Sequence, residues 1–187
     1  MTALPRYITF QQEHITLPML NIGVGGNMAN WHGPDYVHVD VDRWDYSNFV
    51  QGDAHHLPFK DNSFASVALG DVLEHLVYPV LALQEASRIA PKIVMTTFQE
   101  WRLGGVGCSI EAGYKLYGSA GPYPGRISTM PESVISHNPH IWQWSPDLLQ
   151  SIIDRSGLEV IHYETDSPGI HEGHTMLNYL FVLNRKE

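Results

Sequence analysis

The chain has one cysteine, Cys108, in 187 residues. No internal disulfide can staple the fold, and the expected setting is a reducing, cytoplasmic one. No apolar run reaches the roughly 20 residues that a membrane span requires. The first eighteen residues carry Arg6 among mixed polar positions, without the continuous apolar centre of a secretory leader. Cations are sparse: 11 Lys and Arg are scattered singly against 20 Asp and Glu, for a net charge of −9. A protein that tracks a phosphate backbone clusters its cations, so neither extended nucleic acid nor a membrane is an expected partner. Internal repeats and low-complexity tracts are also missing. With 43% hydrophobic and 17% charged residues, the chain reads as a single folded domain spanning 1–187.

The organising stretch is Met19-Leu20-Asn21-Ile22-Gly23-Val24-Gly25-Gly26-Asn27. An apolar run over 17–24 enters a cluster of turn-forming residues, which predicts a short buried strand and a tight bend. Gly23 and Gly25 have no Cβ, so a ligand can approach the main chain there. Asn27 is a residue type that tolerates left-handed dihedrals. A bend of this kind after a first parallel strand is where open α/β sheets hold nucleotide-like ligands. Only a turn or two of helix fits between Asn27 and Trp31 before His32-Gly33-Pro34-Asp35 stops it.

Tyr36 to Val41 alternates Val37, Val39 and Val41 and predicts a second strand. It places Asp40 or Asp42 beside the glycine bend, where an acid can accept both hydroxyls of a ribose. A third short strand is expected over 48–51, a fourth over 65–70 and a fifth over 93–98. Pro79 opens a helix between the last two, with Val80, Leu83, Ala86 and Ile89 as its apolar stripe. Strand and helix alternate, so the expected class is α/β with a parallel sheet wrapped by helices. Residues 99–144 lose all periodicity, and a segment so long within a compact domain reads as a lid or substrate-binding insertion. Ser145-Pro146-Asp147 then caps a helix carrying Leu148, Leu149, Ile152 and Ile153, which stops at Gly157. Strands over 158–163 and 176–183 close the chain around a loop containing His171-Glu172-Gly173-His174, read as solvated.

Two blocks carry a family resemblance. The first is Gly52-Asp53-Ala54-x-x-Leu57-Pro58-Phe59-x-Asp61-x-Ser63-Phe64, continuing to Val72-Leu73-Glu74-His75-Leu76. The second is His140-Ile141-Trp142-x-Trp144-Ser145-Pro146-x-x-Leu149, continuing to Ser156-Gly157-Leu158. With the glycine bend, they make the chain resemble the class I S-adenosylmethionine-dependent methyltransferases of the small single-domain group. The resemblance implies a Rossmann-like seven-stranded sheet, mostly parallel with an antiparallel last strand, and S-adenosylmethionine as cofactor. It puts Gly23 and Gly25 under the methionine part, Asp40 on the ribose, and Asp53 with the main chain of Ala54 on the adenine, with Asn21 and Gly70 as further cofactor-binding positions. The chain departs from the pattern at Asn21 and Asn27, which stand where an acid and a third glycine are usual. It departs again where Arg43 to Ser47 replace a whole helix, so helices are reduced around strands 1–3.

A sulfonium is already a good methyl donor, and the enzyme's main task is to align acceptor and methyl. A hydroxyl acceptor also gains from a general base. Asp71 and His75 follow the fourth strand, and His140 ends the lid; these are the candidate catalytic residues. Asp71-x-x-Glu74-His75 offers two carboxylates and an imidazole, a set that with His137 or His140 can hold a divalent cation. The same Leu-Glu-His-Leu also occurs in metal-free members of the family, and no metal is expected. The resulting expectation is methyl transfer to a small-molecule acceptor, with O-methylation the first choice and a His or Asp as base. The alternative is a non-catalytic S-adenosylmethionine-binding or interaction protein. The bare sheet face left by the absent helix should be covered by Trp44, Tyr46 and Phe49, or failing that by a second copy in a homodimer.

Overall fold

The computed structural model describes residues 4–25, 31–99, 142, 144, 146–171 and 174–187. The elements run α1 (Arg6–His14), β1 (Met19–Ile22), β2 (Tyr36–Asp40), β3 (Phe49–Gln51), β4 (Ser66–Gly70), a single 3-10 turn (Leu73–His75), α2 (Pro79–Ile89), β5 (Lys92–Gln99), α3 (Pro146–Arg155), β6 (Leu158–His171) and β7 (His174–Arg185). The strands form one seven-stranded sheet in the order β3-β2-β1-β4-β5-β7-β6. β1 to β5 are parallel neighbours, and β7 runs antiparallel between β5 and β6. This is the expected Rossmann-like mixed sheet, with its chain reversal between β1 and β4.

Strand periodicity sorts the core onto two faces. Val67 and Leu69 of β4 and Ile93 and Met95 of β5 join Leu83, Ala86 and Ile89 of α2 and Leu149, Ile152 and Ile153 of α3. Alternate residues point to the other face. There Val94, Leu180 and Val182 meet Phe10 of α1, and Met19 and Ala68 meet Trp31. Both faces of the central strands are therefore covered, which is why they read as near-continuous apolar runs. Among the described residues, no helix is long and apolar enough to cross a membrane.

The structure adds one element to the expectations from sequence and corrects another. Residues 6–14 form a helix that the sequence reading left unassigned. Its stripe of Tyr7, Ile8 and Phe10 is interrupted by Gln11, a buried glutamine. The late loop is the second case. β6 continues to His171 and β7 begins at His174, so the segment read as a solvated loop is mostly hairpin strand. A register shift between Asp166 and Gly169 takes Pro168 out of the ladder, and such a bulge lets an edge strand accommodate proline.

The connection from β2 to β3 follows the sequence expectation. Parallel neighbours normally need a crossover of about a dozen residues, yet Asp42 and Gly52 are joined without any helix and β3 is a three-residue edge strand. Trp44, Tyr46 and Phe49 are each half-buried. Trp44 and Tyr46 stack at 6.0 Å between ring centroids and 10° between planes, supplying apolar area in place of the absent helix.

Candidate functional site

The carboxyl ends of β1, β2 and β4 open onto a cleft of about 780 Å³, within the usual range for small-molecule sites. Gly23, Gly25, Asp40, Asp53 and Ala54 line one part of it, and Asp71 and His75 line another. These residues come from four separate stretches of sequence. Asn21 is buried within β1, and neither it nor Gly70 lines the cleft. A Cβ added to Gly70 would sit 2.8 Å from Gln11 Nε2, so the close packing of α1 explains that glycine. Asn27, His137 and His140, like residues 100–141 as a whole, lie outside the described residues.

The glycine bend is built by sterics and by a carboxylate. Gly23 has φ +71°, and a Cβ there would lie 2.3 Å from Val72 Cγ2, so only glycine fits. Gly25 has φ +52°, and among the described residues nothing lies within 4 Å of where a side chain would project, a cradle into which a ligand can press. The Gly25 N–H donates to Asp40 Oδ2 at 3.0 Å, the Asp42 N–H donates to Asp40 Oδ1 at 3.0 Å, and the Gly23 N–H donates to Val39 O at 2.9 Å. Asp40 is thereby locked to the bend. An ionised carboxylate has about four acceptor positions, so two of them are still available for a ribose diol.

Asp53 is held by the same device. Its Oδ1 accepts from the His55 N–H at 2.9 Å and meets His55 Nδ1 at 2.6 Å. His55 Nε2 accepts from the Tyr78 N–H at 3.2 Å, which assigns the ring proton to Nδ1 and makes Asp53 its acceptor. Burial works to raise the Asp53 pKa, but the His55 backbone and ring bonds together outweigh it and the net direction is down. Asp53 therefore stays an anion with Oδ2 free of the His55 contacts. His55, Tyr78 and Trp44 also line the cleft, and sequence reading missed all three as site residues. The signal for His55 was its place two residues after the motif acid, where Asx turns close.

The turn that carries Asp53 is braced from α2. Arg88 donates from Nη1 to Phe59 O and Asp61 Oδ1, and from Nη2 to Leu57 O and Glu85 Oε2. Glu85 Oε2 in turn accepts the Leu57 N–H at 3.0 Å. The bond from Arg88 holds the Glu85 carboxyl below its ordinary value.

Asp71, also on the cleft, adopts φ +52°, a costly conformation for a residue with a side chain. It is pinned from behind. Its N–H donates to Thr96 O at 3.0 Å, Thr96 Oγ1 donates to Asp71 Oδ1 at 3.1 Å, and Gln11 Nε2 donates to Thr96 Oγ1 at 3.5 Å. Burial, and then the Asp71 carboxylate, push the Tyr7 phenol upward. The unassigned helix α1 therefore supports the predicted acid. Glu74 turns the other way: it is fully buried and accepts from Thr97 Oγ1 at 2.8 Å. Asp71, Glu74 and His75 thus do not face the cleft as one set. The Trp142 N–H donates to Glu74 O at 3.1 Å and its Nε1 donates to Leu76 O at 2.7 Å, fixing Trp142 against the turn that carries Glu74 and His75.

Residues 22–92 match a family model described as a methyltransferase domain. No protein of curated function matches the chain in sequence. Among solved structures, an S-adenosylmethionine-dependent methyltransferase of Methanosarcina mazei superposes with TM-score 0.64 at 11% identity, over 99% of both chains. A similar S-adenosylmethionine-dependent methyltransferase of Thermotoga maritima gives 0.63 at 14% identity, over 96% of this chain and 88% of that one. The [4+2]-cyclase SpnF gives 0.59 at 13% identity, over 90% and 74% respectively.

Proposed function

We propose that the chain, which matches a methyltransferase-domain model over residues 22–92 and shares the fold of S-adenosylmethionine-dependent methyltransferases, is a class I enzyme of that kind and transfers a methyl group from S-adenosylmethionine to a small-molecule acceptor. The supporting observation is the gathering of Gly25, Asp40, Asp53, Ala54, Asp71 and His75 in one cleft. The cofactor supplies an electrophilic methyl on a sulfonium. Gly23 and Gly25 would provide the close main-chain approach for its methionine part, Asp40 would accept from the ribose hydroxyls, and Asp53 and the Ala54 N–H would hold the adenine. The fit is one of geometry and chemistry together: a Cβ-free cradle, and two anions fixed by backbone donors before any ligand arrives. Such preorganisation reduces the ordering cost of binding.

We assign the orientation of the acceptor to Asp71 and His75, which both line the cleft, and keep His140 and the segment 99–144 as the proposed third group and lid. For a hydroxyl acceptor, Asp71 or His75 would hold and take up the hydroxyl proton. Turnover of methyl-labelled S-adenosylmethionine against a panel of small alcohols, phenols, carboxylates and amines tests this reading. Labelled product is expected, with turnover reduced about a hundredfold or more in Asp71→Asn.

A second reading has its own support. Asn21 replaces the acid usual at the start of the glycine motif, and a neighbour with this fold is a cyclase. A protein that binds S-adenosylmethionine without consuming it would show saturable binding and no labelled product against any acceptor.

A further inference from the structure

A second group of ligating side chains lies away from the cleft, on the α1 side of the sheet. His14 closes α1, and His162 and Glu164 stand two residues apart on β6, a spacing that puts them on one face of that strand. One ligating atom from each of the three lies within 4.8 Å of the others, and His162 Nε2 is 3.6 Å from Glu164 Oε1. Ligands of a tetrahedral site with bonds near 2.1 Å are about 3.4 Å apart, so small side-chain rotations bring the three into position. The surroundings suit an ion. The two imidazoles lie 5.1 Å apart, with Phe10 against both rings. Arg6 donates from Nη2 to Glu164 and from Nη1 to Glu13, orienting the Glu164 carboxylate as outer partners of metal ligands do.

We propose that His14, His162 and Glu164 bind a divalent transition-metal ion of the zinc type, fastening the end of α1 to the edge strand β6. Two imidazoles and one carboxylate select such an ion over magnesium or calcium, which prefer all-oxygen sites. The site is independent of the methyl-transfer reading. Its consequence for that reading is mechanical: α1 also carries Gln11, which contacts Thr96 behind Asp71.

Calorimetric titration of the full chain with zinc chloride tests the site, with cobalt(II) as an absorbing probe and melting temperature as a second readout. One equivalent should bind, raise the melting temperature and, with cobalt, give visible absorption bands of a four- or five-coordinate site. His14→Ala and His162→Ala should each weaken binding about tenfold or more and abolish the thermal shift. Glu164→Gln keeps an acceptor for Arg6 but loses the anionic ligand, and should weaken binding as well. Far-UV circular dichroism identical to wild type shows that these variants fold. Full zinc affinity in folded His14→Ala/His162→Ala, loss of binding in His75→Ala instead, or no binding by the wild type would each overturn the proposal.

Discussion

At one edge of the sheet β3 contributes three residues and is reached without a helix; at the other, β6 contributes fourteen and pairs with β7 from Leu158 to His171. The cleft opens over the first half, where short strands end in glycines and in acids held by backbone N–H groups. The second half is tied together by a long antiparallel ladder and by α1 packed across it. Ligand-binding geometry is therefore set by local main-chain conformation in the first half, while the second half acts as scaffold. Substitutions of the same kind should have different consequences in the two halves.

Paired glycine variants give the largest expected contrast. Gly23→Ala meets both a left-handed φ and a 2.3 Å approach to Val72, and should lose about 3 kcal/mol of stability together with cofactor binding. Gly157→Ala in the scaffold half, at φ +74° but with nothing within 4 Å among the described residues, should lose only about 1 kcal/mol and leave binding intact. Denaturant titration of the two variants checks this, and equal losses would erase the distinction.

Next in size is Thr97→Val, which removes a donor to the fully buried Glu74 and should cost about 1–3 kcal/mol. Thr97→Ser keeps the hydroxyl and should retain most of that stability. Somewhat smaller is Arg88→Met. It releases Leu57 O and Phe59 O from α2 and should cost about 1–2 kcal/mol, with a several-fold loss of S-adenosylhomocysteine affinity because the Asp53 turn loosens.

The smallest effect is on pH dependence. The Glu85 carboxyl has a folded pKa below its ordinary value, lowered first by the Arg88 bond. Its contribution is present above the unfolded carboxylate pKa, about 4.3, and is lost as pH falls through the depressed folded value. The acid limb of stability should therefore be steeper in wild type than in Arg88→Met. Urea midpoints measured from pH 6 down to pH 3 give that slope, and parallel limbs would contradict the assignment.

The sequence was most readable where structure is local. Gly23, Asp40 and Asp53 announce their positions because a positive φ, a strand end and an Asx turn each depend on a few neighbouring residues. Pro79 and Gly157 mark helix limits for the same reason. The missing helix after β2 was legible as a simple matter of chain length, and Trp44 and Tyr46 as its replacement. The rest depended on contacts between distant residues. α1 was hidden because Gln11 and His14, polar residues on a buried or half-buried face, break its stripe, and their partners Thr96 and His162 lie 85 and 148 positions on. Glu74 looked like a site carboxylate beside His75, yet Thr97 holds it inside the core. The extended β6–β7 hairpin was masked by Pro168-Gly169, which the ladder absorbs as a bulge.

The central claim is that this cleft holds S-adenosylmethionine through Asp40 and Asp53, and titration calorimetry with S-adenosylhomocysteine tests it most directly. The wild type should bind one equivalent saturably, Asp40→Ala and Asp53→Ala should each lose about 1–3 kcal/mol of affinity as a fixed acceptor disappears, and His14→Ala should bind like the wild type. No binding by the folded wild type, or affinities unchanged in both aspartate variants, would contradict it.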